Sequence, residues 1–181
     1  MEKITFRETT PNDTDILFSI KISSYGDEFK EFNYVENGYK DAFDDCNVNT
    51  AREDGMFSRK WHEIFSSQYP GCWSLVIETD NKIIGQIVAI SGEHKHIADN
   101  YSSYDMSGNV NIIFCIYVLP EYKNKGIGKM AMEYMEQLHP ADKWILDTPK
   151  ISPKNKHFYE KCGYTQGSSG SLNVYSKGFE K

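Results

Sequence analysis

The stretch "LPEYKNKGIGKMAMEYMEQLHP", Leu119 to Pro140, is where an apolar run gives way to a helix, through a segment that sets Gly126 and Gly128 beside Lys123, Lys125 and Lys129. Just upstream, "NVNIIFCIYV" reads as a long strand, and Pro120, which has no N–H to offer a ladder, marks its end. Downstream, Ile127, Met130, Ala131, Tyr134, Met135 and Leu138 recur at helical spacing, so a helix is expected over 126–138, closed by Pro140. "KWILDTP" then reads as a short strand ended by Pro149. The strand–helix–strand unit from Asn109 to Asp147 is expected to form a right-handed parallel crossover.

Outward from this unit the pattern stays legible on most of the chain. "KITFRETT" alternates apolar and polar residues as a first strand, and "PNDTDILFSIKISSY" offers capping residues ahead of a short amphipathic helix. "CWSLVIETDNKIIGQIVAI" is a hairpin, two β-rich runs around Thr79-Asp80-Asn81-Lys82. Within 26–69, Phe57, Trp61, Ile64 and Phe65 fall at helical spacing and predict a helix in "REDGMFSRKWHEIFSSQ". After Pro149 another helix is well punctuated, with Ser152 as N-cap, Pro153 at the first helical position and Gly163 just past the end. Tyr164 to Lys177 supplies two strands around "GSSG". With no repeat or linker, this is a single domain over 1–181: an α/β, α+β mixed fold whose central, mostly antiparallel, six- to seven-stranded sheet carries helices on both faces.

Composition narrows the class. The chain has 181 residues, 39% hydrophobic and 25% charged, with a net charge of −6. An acidic protein is a poor non-specific ligand for nucleic acid or anionic membrane, so neither is expected as a partner. No apolar run approaches the roughly 20 residues that span a bilayer, and "MEKITFRETT" has no long apolar signal region; a cytoplasmic protein is expected. Cys46, Cys72, Cys115 and Cys162 form no CxxC pair and read as reduced thiols. His94-x-His96 reads as a pair of loop histidines, and no metal is expected.

"KNKGIGK" has two physical readings. A helix N-terminus leaves backbone N–H groups without intrahelical partners and carries about half a positive charge, and glycines let a ligand approach them. The segment therefore suits a phosphate ester, with the lysines adding attraction. An ordinary turn with solvated lysines explains it as well. A P-loop fails, because Lys123 and Met130 stand where glycine and Ser/Thr are needed. Gly126-x-Gly128-x-x-Ala131 matches the relaxed dinucleotide pattern but stands too far from its strand and too late in the chain.

Taken together, "VLPEYKNKGIGKMAMEYM" and "LDTPKISPKNKHFYEKCGY" resemble the GCN5-related N-acetyltransferase (GNAT) superfamily. Val118-x-Pro120 followed by Lys123-x-x-Gly126-x-Gly128 is similar to that family's acetyl-CoA pyrophosphate loop. Phe158 to Tyr164 is similar to its late helix, with a Tyr-x-x-x-Gly-aromatic ending. The resemblance implies an acyltransferase that uses acetyl-CoA as cosubstrate. The backbone of Ile116, Tyr117 and Val118 would pair with the pantetheine arm like an added strand. Lys123, Asn124, Lys125, Gly126, Ile127, Gly128 and Lys129 would hold the pyrophosphate. Asn155 and Phe158 would complete the cofactor contact, and Tyr159 would protonate the departing thiolate, a role that a phenol of pKa about 10 can fill. Lys123 stands where the family usually has Arg or Gln, and Ser152 where it often has Asn, so either Asn155 or Ser152 takes that contact.

The resemblance further implies an amine acceptor, with segments 26–70 and 91–108 lying on the acceptor side, and it allows a homodimer. A GNAT-fold acyl-CoA sensor without efficient catalysis is the alternative. Acids between Asp27 and Asp54 would attract a cationic acceptor or simply solvate the surface. Transfer needs donors at the developing oxyanion, for which the Val118 N–H is a candidate. It also needs a base, and "NVNIIFCIYV" contains no carboxylate. Asp105, Glu28, Glu78, His94 and His96 are the candidates.

Overall fold

A computed structural model describes residues 2–32, 70–80, 82–94, 101–149, 153–169 and 172–179. Its elements in chain order are β1 (Ile4–Glu8), α1 (Thr14–Phe32), β2 (Cys72–Thr79), β3 (Lys82–Ser91), β4 (Val110–Val118), α2 (Ile127–Leu138), β5 (Lys143–Pro149), α3 (Pro153–Lys161), β6 (Thr165–Ser169) and β7 (Leu172–Lys177). The expected helix in 52–68 and the N-cap at Ser152 lie outside the described residues.

The strands form one seven-stranded sheet in the order β1-β2-β3-β4-β5-β7-β6. Only β4 and β5 run parallel; every other neighbour is antiparallel. The expected crossover through α2 is therefore present. The hairpin forms as the turn chemistry requires, with Thr79 opposite Lys82 and Asp80 at φ 46°. Aspartate tolerates that left-handed conformation better than most residues.

Helix α1 is longer than the short helix expected, running 19 residues. Its entry is fixed by Asp13, whose Oδ2 accepts from the Thr10 N–H at 2.8 Å while Arg7 forks onto both carboxylate oxygens. The Arg7 hydrogen bond is the main reason the Asp13 carboxyl sits down at about 2. A bidentate pair of this kind is geometrically specific as well as attractive.

Successive residues of β5 point to opposite faces, and this separates two cores. Trp144 and Leu146 join the main core with Ile127, Ala131, Met132 and Met135 of α2 and with Tyr159 of α3. Ile145 joins a second core on the other face, made with Tyr101, Val110, Ile112 and Val174. α1 also lies on that second face, where Tyr117 Oη donates to the Leu17 carbonyl.

The buried stripe of α2 differs from the expected one. Ile127, Ala131 and Met135 are buried as expected, but Met132 is buried too, while Met130, Tyr134 and Leu138 are exposed by 44%, 38% and 47%. Both sets satisfy a helical period. The sheet selected the ridge running through 127, 131 and 135, and the next position around the helix, Met132, fills its flank. Tyr134 stacks instead on Phe6 at 4.7 Å, covering the edge of the main core.

Candidate active site

Strand β4 has two unlike halves. Along β3 it pairs from Ser91↔Asn111 to Gly85↔Val118, with an irregularity where Val88 faces Cys115 and Ala89 faces Ile113, so that Phe114 is the extra residue. Along β5 it pairs only at Val110↔Lys143, Asn111↔Trp144 and Ile112↔Ile145. A bulge bends its strand and steepens the twist. Past it β5 stays with β7 as far as Pro149↔Leu172, and β4 leaves with β3. A gap opens between 113–118 and 146–149.

On the β4 side of the gap, the Leu119 N–H donates to Ile84 of β3, so Tyr117 and Cys115, by alternation, also turn their peptide groups toward β3. Ile116 and Val118 turn theirs to the side that β5 has left. Val118 O accepts there from Ser24 Oγ at 2.8 Å. Tyr117 does not present its peptide to the gap, and its hydroxyl reaches Gln86 on the far face.

The rim of the gap is the start of α2. Asn124 has φ 62° and Gly126 φ 80°, and Gly126 is an N-cap with no side-chain hydrogen bond. Among the described residues, the N–H groups of Gly126, Ile127, Gly128 and Lys129 meet no backbone carbonyl; the first intrahelical bond is Met130 to Gly126 O at 3.1 Å. These are the orphan donors of a helix start, and no described group caps them. The two glycines do different things. A Cβ on Gly126 would meet nothing within 4 Å, whereas one on Gly128 would lie 3.0 Å from the Phe158 ring. Gly126 thus opens space in front of the donors, and Gly128 lets α3 pack closely on α2.

The lysines of the loop are held apart from one another. Lys123 Nζ donates to the Ser24 carbonyl at 2.7 Å, tying the loop to α1. Lys125 lies 5.0 Å over the Tyr122 ring, and Lys129 pairs with Glu133 at 3.5 Å. Exposed pairs of this kind contribute little, so Lys125 and Lys129 can turn toward an anion at small cost.

Helix α3 brings its residues from the other side. It ends through Gly163 at φ 88°, with the Tyr164 N–H donating back to Tyr159 O. Asn155 Nδ2 donates to Thr148 Oγ1 on β5 at 2.7 Å, which leaves its carbonyl oxygen aimed away from that bond. Phe158 and Tyr159 meet edge to face at 4.9 Å, and Tyr159 is 8% exposed, its ring also against Tyr175 and Tyr164. A ring wedged in this way has little freedom, so its hydroxyl is directed by packing.

A family model described as the acetyltransferase (GNAT) family matches residues 34–164. The chain belongs to this family. A search of curated proteins returns no match. Among solved structures, the PaiA N-acetyltransferase of Thermoplasma acidophilum, crystallised with coenzyme A, is similar at 17% identity and TM-score 0.69, over 97% of this chain and 98% of that one. A GNAT acetyltransferase of Streptococcus agalactiae is similar at 16% identity and TM-score 0.69, over 98% and 96%. Arabidopsis thaliana NAA60, in complex with a bisubstrate analogue, is similar at 15% identity and TM-score 0.60, over 96% and 95%. The likeness establishes the GNAT fold.

Of the carboxylates anticipated from the sequence, Asp105 and Glu78 are engaged elsewhere. Asp105 is exposed and bound to Lys143 at 2.7 Å and to Ser107. Glu78 holds Arg7 at 2.9 Å, and His94 Nε2 lies 2.9 Å from the Pro70 carbonyl. The side chain of Glu28 and the whole of His96 lie outside the described residues. At the gap itself stands a carboxylate the sequence reading passed over, Asp147 of β5. Its Oδ2 accepts from Tyr101 Oη at 2.9 Å. Burial pushes the Asp147 carboxyl up, and the Tyr101 hydrogen bond pulls it part of the way back. The Tyr101 phenol is pushed far up, first by burial and then by Asp147, with a smaller contribution from Tyr159. The signal was present in "KWILDTP", where an acid interrupts an apolar strand near its end. Tyr101 offered none, because nothing local ties it to residue 147.

No three His, Cys, Asp or Glu residues among those described gather so as to hold a metal ion. No described helix is long and apolar enough to cross a membrane. Cys72, Cys115 and Cys162 are free thiols, and burial pushes Cys162 up to about 11.

Proposed function

We propose that this GNAT domain is an acetyl-CoA-dependent N-acetyltransferase that moves the acetyl group directly to a primary amine of a small molecule or peptide. The observation that carries this reading is the parting of β4 from β5 directly beside the uncapped start of α2. Such a site suits a long acyl thioester with an anionic end. Its pyrophosphate would meet the N–H groups of Gly126 to Lys129 in the open space in front of Gly126, with Asn124 and Lys125 at the rim and Lys123 securing the loop to α1. Its extended arm would run along Ile116 and Val118, with Tyr117 contributing only as the residue between them. Asn155 and Phe158 would flank the arm.

Bound there, the cosubstrate supplies an activated acetyl carbonyl. The chain's own residues do the rest. The Val118 N–H, on the gap side of β4, can donate to the carbonyl oxygen as charge develops on it. The Tyr159 hydroxyl can give its proton to the departing thiolate. Segments 26–70 and 91–108 would meet the acceptor. The T. acidophilum protein with coenzyme A and the A. thaliana protein with its bisubstrate analogue support the reading by analogy of fold.

Titration calorimetry with acetyl-CoA, followed by thiol release across a panel of primary amines, tests it. Micromolar binding with thiol release on at least one amine is expected. Absence of binding at high micromolar concentration overturns the reading, and tight binding with silence toward every amine favours a sensor.

A further inference from the structure

Asp147 and Tyr101 stand where the two faces of the sheet communicate. In β5, Thr148 turns toward α3 and holds Asn155, so its neighbour Asp147 turns to the opposite face, the one that carries Tyr101, Ile145 and Val174. Asp147 lies two residues past Ile145, the last residue of β5 paired with β4. Carried on, that parallel register sets Asp147 level with the bulge at Phe114, in the mouth of the gap. Tyr159 lies on the α3 face with Leu146 and Tyr175, and Tyr101 lies on the other with Ile145 and Val174. Tyr159 and the Asp147–Tyr101 pair thus belong to opposite faces of the sheet.

We propose that Asp147, oriented by Tyr101, takes the proton from the acceptor, and that the acceptor is a protonated aliphatic amine entering from the face opposite α2 and α3. This assignment rests on the transferase reading above. Among the described residues only Oδ2 of Asp147 is engaged, leaving Oδ1 for the incoming ammonium. Val110, Ile112, Ile145 and Val174 line the apolar core beneath, and a carboxylate over such a surface is a stronger base than one in water. Asp147 accepts one proton from R–NH3+, and the freed lone pair forms the C–N bond as the C–S bond breaks. Tyr159 gives its proton to the sulfur, and the second proton shed by nitrogen as the amide forms restores the Tyr159 hydroxyl. Asp147 then returns its proton to solvent, so the balance is amine cation and thioester to amide, thiol and one released proton. Among the described residues the titratable group that meets Asp147 is Tyr101, from the turn before β4; its partner on β7 is Val174.

The test uses the full chain, acetyl-CoA, and two kinds of acceptor: charged amines (spermidine, tyramine and a short peptide with an unblocked N-terminus) and hydroxylamine, which is uncharged at neutral pH. Asp147→Asn keeps the shape and an acceptor for Tyr101. It should lower kcat/KM for the charged amines by about 10²-fold or more. Its effect on hydroxylamine should be far smaller, and acetyl-CoA affinity should be intact, which also reports a folded protein. Equal loss on both kinds of acceptor, or no loss, overturns the assignment while the transferase reading stands. A wild type that binds acetyl-CoA and acetylates none of them removes both. Tyr101→Phe supplies the second readout. The phenol's hydrogen bond lowers the Asp147 pKa, so its removal should move the acid limb of the pH profile of kcat/KM to higher pH. An unmoved limb overturns the positioning role of Tyr101.

Discussion

The two halves of β4 are made of similar residues and have opposite fates. Val110, Asn111 and Ile112 pair on both sides and sit in the interior, with Ile112 1% exposed. From Ile113 onward the strand keeps β3 and loses β5. The closed half is a core in which side chains carry the stability. In the open half, Ile113 and Val118 still pack in the main core, while main-chain groups on the side that β5 has left face a gap. A parallel pair that separates partway converts one strand from scaffold to site with no change in its local composition.

Substitutions can break this contrast. At the closed end, Ile145→Ala removes a fully buried side chain and should destabilise the fold by about 2–5 kcal/mol, read by chemical denaturation. A smaller loss would mean that the second core is loosely packed. At the open end, Tyr159→Phe should lower turnover by about 10²-fold or more with acetyl-CoA affinity nearly unchanged, because only the hydroxyl is removed. Full activity would end the proton-donor role. Gly126→Trp should weaken acetyl-CoA binding at least about tenfold by filling the space in front of the helix donors, with some cost in stability from its φ of 80°. Unaltered affinity would remove the pyrophosphate cradle. The smallest effect belongs to Tyr175→Phe. The Tyr175 hydroxyl is buried with no hydrogen-bond partner among the described residues, so its loss should leave stability within about 1 kcal/mol of wild type or raise it. A large loss would reveal a partner for it.

Much of the architecture was readable because it is locally encoded. The hairpin at Asp80, the strand end at Pro120, the glycine start of α2 and the Gly163 stop of α3 each depend on neighbours in sequence and on backbone conformations few residues tolerate. The α2 stripe was only half readable. Two ridges of the same helix were apolar enough, and the sheet beneath it chose the one containing Met132. The surroundings of two candidate bases were unreadable for a similar reason. Asp105 and Glu78 are as acidic as Asp147 in the sequence, but Lys143 and Arg7 reach them through the fold.

By itself the sequence determined the elements, their order and the glycine loop, because helical and strand periods, caps and turns are short-range physics. Tertiary structure alone decided where β4 and β5 part. It also decided that Tyr101 and Asp147, 46 residues apart, share a hydrogen bond at that point. Strand register and the bulge at Phe114 set both, and these follow from how the two faces of the sheet are covered, which no local window contains.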